Sequence, residues 1–285
     1  MTKVLLSGGT SFLGLKFVEL FHDKYEISSF SKHDLNNPIG LRDQETMRGL
    51  FDSIGPDVVV HLAASVDVND PNLAETNIIG TKNLLELAAK SETPFVFMSS
   101  ESVYGGNREG EDEISEDREL NPKTEYARSK AESERLIVTA EIPYLILRGH
   151  RFVGFVRGYE KPKQFLDTIR SIVRGDEVHL DSQKLFRPSL INHLAAVIDH
   201  YISDDRTSQR VLNCVVEHNV NYYRLIVGVA RRLGLSQDVI FSDGEEKAWS
   251  DRSLLSITSL KELKYPTVSY EEMLVQLETD YKMIT

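Results

Sequence analysis

Strict alternation of two kinds of segment dominates the first half of the chain and leaves it few folds to choose from. Short runs rich in Val, Ile, Leu and Phe occur at residues 4–7, 25–30, 57–62, 95–99 and 144–148. Longer amphipathic stretches separate them at 12–21, 44–54, 77–90 and 124–139. In the third of these, Ile78, Leu84, Leu85 and Ala88 recur near a 3.6-residue period, the spacing of one helix face. Runs that are apolar throughout need cover on both faces, which is the condition of a parallel strand. Strands alternating with helices through right-handed crossovers predict an α/β fold with a doubly wound parallel sheet.

Beyond residue 150 the pattern loosens, with helical patterns at 190–201, 222–233 and 270–281. Residues 145–190 hold nine Lys/Arg and five Asp/Glu, in a chain with 33 basic and 44 acidic side chains and a net charge of −11. The acidic stretch 109–119, followed by Asn121-Pro122, reads as a solvated loop ending in a turn. Overall acidity argues against nucleic acid or an anionic membrane surface as partner. No run approaches the ~20 apolar residues of a membrane span, and the opening MTKVLLSGGT, broken by glycines, does not read as a secretory leader. A single cysteine, Cys214, allows neither an internal disulfide nor a cysteine zinc cage. It fits a reducing, cytoplasmic compartment, and no metal site is expected.

Three places carry chemistry. Ser7-Gly8-Gly9-Thr10-Ser11-Phe12-Leu13-Gly14 follows the first strand directly. A glycine-rich turn opening a helix lets backbone N–H groups approach a pyrophosphate. Gly8 is expected to make the tight turn and Gly14 to let the helix pack on the sheet. Ser11 stands where the usual pattern has its middle glycine, so its side chain must avoid the phosphates or bind them. At the second place, His61-Leu62-Ala63-Ala64, small residues at a strand end keep a crevice open, and His61 is expected to hold a structural hydrogen bond. The third place is Tyr126 and Lys130, four apart on a predicted helix and therefore on one face. A free phenol, with a pKa of ~10, is a poor base at neutral pH. A neighbouring ammonium favours the phenolate, and Tyr126 then exchanges a proton with a carbonyl or alcohol oxygen. Ser100, in Ser99-Ser100-Glu101-Ser102-Val103-Tyr104-Gly105, is placed to donate a hydrogen bond to the same oxygen.

These motifs, with the helix segment Asn77-Ile78-Ile79-Gly80-Thr81, resemble in content and order those of the extended short-chain dehydrogenases/reductases (NAD-dependent epimerase/dehydratase type) that act on nucleotide sugars. The resemblance spans essentially the whole chain. It implies a Rossmann core over 1–150 that binds NAD(P). It also implies a small C-terminal substrate-binding domain over 151–285, with segments at about 187–215 returning to the core. By the same resemblance Tyr126 is the catalytic acid/base, Ser100 the catalytic Ser/Thr, and Lys130 binds nicotinamide-ribose hydroxyls while tuning Tyr126. Further cofactor contacts are implied at Gly8, Thr10, Ser11, Phe12, Leu13, Gly14, Ser31, Lys32, Asp34, Leu35, Leu62, Ala63, Ala64 and Asn77. Substrate contacts are implied at Ser65, Glu101 and Arg187.

Within the family the chain is most similar to the dTDP-4-dehydrorhamnose reductase branch. It is short, Asp34-Leu35-Asn36-Asn37-Pro38 resembles that branch's segment after strand two, and so does the tail at 251–257 followed by Leu260-Lys261. Arg187, in Arg187-Pro188-Ser189-Leu190-Ile191, is similar to an epimerase arginine that meets nucleotide phosphates. The branch implies hydride transfer from C4 of the nicotinamide to the carbonyl carbon of a nucleotide-linked keto sugar. Two alternatives stay open: a nucleotide-sugar 4-epimerase that retains its NAD, and a non-catalytic NADP-binding regulatory subunit like the reductase-like subunit of methionine adenosyltransferase. Strand two ends in Phe30-Ser31-Lys32-His33, without the carboxylate that NAD sites place there, so NADP is expected over NAD. A 4,6-dehydratase is not expected, because its Asp-Glu pair is replaced by Glu101-Ser102, and Ser102 has no basic group. Related proteins often pair through two helices per subunit, which implies a homodimer.

Overall fold

A computed structural model of the chain describes residues 1–34, 38–67, 69–108, 111–161, 163–244 and 252–285, with only the backbone of Arg252. Leu35, named above for the cofactor, lies outside the described residues. The first half runs β1 (Thr2–Ser7), α1 (Phe12–Phe21), β2 (Tyr25–Phe30), α2 (Gln44–Ile54), β3 (Val58–His61), α3 (Leu73–Lys90), β4 (Phe95–Ser100), α4 (Glu125–Val138) and β5 (Tyr144–Gly149). With a sixth strand, Gln209–Asn213, these strands form one sheet among the described residues. Its order is β2-β1-β3-β4-β5 and then the sixth strand. β1 pairs in parallel with both β2 and β3, and β3 in parallel with β4. The winding reverses between β1 and β3, and ligands of such sheets bind at the carboxyl ends of the strands where the order turns.

The local reasons for these elements are plain. Val4, Leu5 and Leu6 of β1 and Val58, Val59 and Val60 of β3 are buried at every position, as strands covered on both faces require. Leu5, Val59, Phe97 and Ile146 pack in one core with Met47 and Phe51 of α2 and Leu84 of α3. Ser11, Asp43 and Thr124 cap α1, α2 and α4 through side-chain oxygens that accept from the third residue on; each such cap is worth ~1 kcal/mol. α3 starts at Leu73 rather than at 77, because buried Leu73 extends its apolar face by a turn.

The chain gathers into two compact units: residues 1–105, 119–148 and 194–212 in the first, and 106–118, 149–193 and 213–285 in the second. The acidic stretch read as a solvated loop therefore belongs, up to Arg118, to the second unit. Buried Ile114 anchors it there, donating to the Leu254 carbonyl (2.7 Å) and accepting from the Ser256 N–H (2.8 Å) and the Asn213 Nδ2 (2.9 Å). Short parallel pairs, 178–181 with 240–243 and 152–153 with 189–190, lie in that unit with helices Gln164–Arg174, Tyr222–Arg232 and Tyr270–Ile284. Among the described residues no helix is long and apolar enough to cross a membrane.

Candidate active site

The carboxyl edge of the first unit's sheet collects most of the residues singled out above. Gly8 leaves β1 with φ +80°, a left-handed conformation that suits glycine, and a Cβ there would stand 2.8 Å from the Ala63 nitrogen. A Cβ on Gly14 would strike the Gly8 carbonyl oxygen, so the first turn of α1 can sit this close only on a glycine. Ser11 resolves its departure from the usual pattern. It adopts φ −78°, which needs no glycine, and its hydroxyl accepts from the Gly14 N–H at 3.0 Å as the helix cap. A positive-φ glycine, close backbone packing and the opening N–H groups of α1 together suit a dinucleotide pyrophosphate. Beside them Thr10 Oγ1 and Ser31 Oγ are 2.8 Å apart, tying the turn to the end of β2. Lys32 is exposed, and the half-buried Asp34 accepts from Ser29 Oγ at 3.2 Å.

At the end of β3, His61 is buried between Ser7 Oγ (2.5 Å from Nδ1) and Thr81 Oγ1 (3.1 Å from Nε2). Burial, helped by the charge on Lys130, pushes its pKa down to about 3, so the ring is neutral and structural, as expected. Asn77 clamps the following segment, which carries Leu62, Ala63 and Ala64. Its Oδ1 accepts from the Ser65 N–H (2.7 Å), and its Nδ2 donates to the Ser65 carbonyl (3.0 Å) and to Ser129 Oγ (3.0 Å). Both amide hydrogens of Asn77 are thereby used within the protein. Ser65 Oγ in turn donates to Asp70 at 3.4 Å.

Ser100 ends β4 and accepts from both the Ser102 N–H (3.2 Å) and Ser102 Oγ (2.9 Å), which leaves its own hydroxyl hydrogen to donate. Tyr126 is half-buried in the first turn of α4, and among the described residues its hydroxyl makes no hydrogen bond. Burial pushes the phenol up to about 12, and the Glu101 carboxylate adds to the rise. Lys130 is buried, and burial pulls it down to about 7 against the opposing pull of Glu134. Its Nζ donates to the Met98 carbonyl at 2.7 Å, lies 4.4 Å from the centre of the Phe97 ring, and is 5.9 Å from that of Tyr126. The sequence expectation that Lys130 depresses the Tyr126 phenol is therefore corrected. The ammonium is turned to a backbone carbonyl, the charge that shifts the phenol is the Glu101 carboxylate, and it acts in the same direction as burial, so Tyr126 is a protonated phenol at neutral pH.

A second layer escaped the sequence reading. Glu134, one helical turn beyond Lys130, accepts from Ser99 Oγ and pairs with Arg148, whose Nη2 lies 2.6 Å and Nε 3.1 Å from the carboxylate oxygens. Arg148 Nη1 also donates to the Tyr104 hydroxyl at 2.5 Å. All four side chains are buried. Burial disfavours the charged guanidinium, but its bonds to Glu134 outweigh that and hold it firmly charged. A charged residue closing the apolar run at 144–148 was the visible signal.

Arg187 lies in the second unit. Its Nε donates to Asn219 Oδ1 (2.8 Å), its Nη1 to the Leu255 carbonyl (2.8 Å), and its Nη2 pairs with Glu113. Glu101, the other charged substrate candidate, follows Ser100 in the first unit.

Comparison with known proteins yields consistent matches. Residues 1–281 match the family model for the RmlD substrate binding domain. The dTDP-4-dehydrorhamnose reductase of Aggregatibacter actinomycetemcomitans is 26% identical over 192 residues, spanning 61% of this chain and 63% of that protein. Among solved structures, a dTDP-4-dehydrorhamnose reductase from Bacillus anthracis in complex with NADP superposes with a TM-score of 0.83 at 19% identity, covering 98% of this chain and 100% of that one. A UDP-glucose 4-epimerase from Thermotoga maritima with UDP-glucose does so with a TM-score of 0.83 at 22% identity, covering 99% of each chain. At such identities the structural likeness establishes the fold, a Rossmann-type core with an added C-terminal region.

Proposed function

The chain belongs to the RmlD substrate binding domain family, among the NAD(P)-dependent sugar-modifying enzymes of the extended short-chain dehydrogenase/reductase type, and from that premise we propose that it reduces a nucleotide-linked keto sugar. The observation that carries this reading is the pair of open hydroxyls at this edge: that of Tyr126 makes no hydrogen bond to a described residue and that of Ser100 keeps a hydrogen to give, and reduction of a carbonyl needs a proton donor. A nicotinamide held here would supply the hydride. Tyr126 delivers its proton to the carbonyl oxygen, and Ser100 donates its remaining hydroxyl hydrogen to the same atom. Lys130, with a single hydrogen bond among the described residues, to the Met98 carbonyl, holds a ribose hydroxyl with its other hydrogens. Gly8, Thr10, Ser11, Phe12, Leu13 and Gly14 carry the pyrophosphate, and Leu62, Ala63, Ala64 and Asn77 border the cofactor. Arg187 as a diphosphate ligand requires exchange of Glu113 for phosphate.

The test is direct. Purified protein is given NADPH or NADH with dTDP- and UDP-linked 4-keto sugars, and loss of the 340 nm band is followed alongside product analysis. Stoichiometric cofactor oxidation supports the reductase. Inversion of a hexose with the cofactor returned unchanged makes it an epimerase. A 4-keto-6-deoxy product from a hexose contradicts the expectation that Ser102, with no basic group, excludes water elimination, and no turnover on any of these overturns the catalytic reading. We expect NADPH to bind more tightly than NADH through exposed Lys32 and through Ser31. Titration of Lys32→Ala checks this: affinity for NADPH falls and that for NADH stays. Equal binding of both cofactors assigns the ribose to Asp34 instead.

A further inference from the structure

Arg151 is the outlier of the second unit. Among the described residues four non-glycine positions have positive φ: Glu92 (53°), Glu141 (57°), Arg151 (43°) and Lys264 (59°). Three of them have a local reason, since Glu92, Glu141 and Lys264 each follow the end of a helix, where a left-handed residue closes the last turn. Arg151 has no such reason. It stands between the strand ending at Gly149 and the two-residue strand Phe152–Val153. Its neighbours are held firmly: the His150 N–H donates to Ser189 Oγ (2.9 Å), and the Ser189 N–H donates to the His150 carbonyl (2.7 Å). Strain of this kind survives where the surroundings over-determine it, and it concentrates at ligand clamps.

The side chain is unusual in the same direction. The Arg151 guanidinium sits 4.8 Å above the Phe186 ring and 5.7 Å from that of Tyr222. Both rings are buried, and the Tyr222 hydroxyl is fixed 3.2 Å from Thr168 Oγ1. Its one hydrogen bond is a long contact, 3.4 Å, to Gln164 Oε1, and among the described residues it pairs with no carboxylate. Arg187, close by in sequence to the same strand pair, is the opposite case, with Glu113, Asn219 and Leu255 already on its fork. A guanidinium that rests over aromatic rings spends none of its N–H groups on them and keeps those groups for an oxyanion. It does so within the segment where basic side chains outnumber acidic ones, nine to five over 145–190.

We infer that Arg151, strained in the backbone and laid over Phe186 and Tyr222, is the group of the second unit that binds an oxyanion of the substrate. The inference rests on the nucleotide-sugar reading and deepens it. Two sources supply that oxyanion, the nucleoside diphosphate and a carboxylate on the sugar, and the experiment separates them. Calorimetric titrations compare wild type, Arg151→Gly and Arg151→Lys with dTDP, UDP, UDP-glucose and UDP-glucuronate, using NADPH as control, and a thermal melt accompanies each variant. Glycine is at ease at φ +43°, so Arg151→Gly should keep or raise Tm while affinity for the diphosphates falls at least tenfold. Arg151→Lys should recover part of that loss, and NADPH binding should not move. If UDP and UDP-glucose bind unchanged and only UDP-glucuronate weakens, the oxyanion is the sugar carboxylate. If every ligand binds Arg151→Gly as it binds wild type, or if Tm falls while affinity is kept, Arg151 only packs the two rings and the inference fails alone. If wild type binds none of the nucleotides, the inference falls together with the substrate class it rests on.

Discussion

The two ends of α4 treat polar groups in opposite ways. At Glu134 the carboxylate, the Arg148 guanidinium, the Ser99 hydroxyl and the Tyr104 hydroxyl are closed on one another and buried. Two turns earlier, Tyr126 has no hydrogen bond to a described residue, Ser100 keeps a hydrogen to give, and Lys130 has one carbonyl for three hydrogens. Saturated groups have nothing left to offer a ligand, so they position. Open groups cost stability where they are buried, and chemistry is the return. The closed end fixes β4 and α4 against each other, which sets the place of Ser100 and Tyr126.

The most severe test of that contrast acts on the open end. Tyr126→Phe keeps the ring and removes only the phenol oxygen, so turnover should fall by at least ~10²–10⁴-fold, the usual worth of general acid–base catalysis. Tm should hardly change, since no hydrogen bond to a described residue is lost. A steady-state assay beside a melt decides it. A variant that melts many degrees lower with turnover intact would place Tyr126 among the structural groups.

Acting on the closed end should give the mirror image. Glu134→Gln leaves the Arg148 charge buried without its counter-ion, and breaking a buried pair from one side costs about 3–5 kcal/mol. Urea denaturation should show that loss. Replacing both partners, Glu134→Leu with Arg148→Met, should recover much of it, because no uncompensated charge remains. If the single variant loses less than ~1 kcal/mol, typical of exposed pairs, the two ends do not differ in the way described.

Much of this was legible before any coordinates. The runs at 25–30, 12–21 and 44–54 coincide with β2, α1 and α2; Ser11 caps the start of α1 and Asp43 and Gly55 bound α2, so local pattern is decisive for these helices. The glycine turn and the Tyr126/Lys130 spacing were equally local. What stayed hidden depends on distance along the chain. The Glu134–Arg148–Tyr104 group joins α4, β5 and the turn after β4, and Ile114 answers to Leu254 across 140 residues. The direction of the Tyr126 shift is hidden from the sequence for a related reason. Helical spacing puts Lys130 on the right face, but the Met98 carbonyl that draws its ammonium and the Glu101 charge near the phenol come from β4 and its following turn.

Lys130 allows the contrast to be followed with pH. Its folded pKa of about 7 lies below the usual lysine value of 10.5. Between those two values the unfolded chain carries a proton that the folded protein lacks, so stability rises with pH across that window. Below pH 7 both states are protonated and the slope from this group vanishes. Lys130→Met should flatten the rise between pH 7 and 10 in denaturation of the cofactor-free protein while leaving more acidic behaviour as it was. A wild type whose stability does not climb faster than that of the variant would show Lys130 to be as well satisfied as Glu134.

Ser11 gives the smallest effect and the finest distinction, because its oxygen is held as a helix cap while the residue stands in the cofactor turn. Its hydroxyl already accepts from the Gly14 N–H, and its extended backbone caps α1. Loss of such a cap to alanine costs ~1 kcal/mol, whereas glycine costs only a few tenths. Ser11→Ala should therefore lower stability by about 1 kcal/mol, and Ser11→Gly by less. Since the hydroxyl oxygen faces inward to Gly14, NADPH affinity should change by less than about threefold in Ser11→Gly, below the ~1 kcal/mol that a typical hydrogen bond contributes. A tenfold loss of affinity in Ser11→Gly with stability unchanged would mean that the hydroxyl hydrogen is given to the phosphate, which makes Ser11 an open group like Ser100.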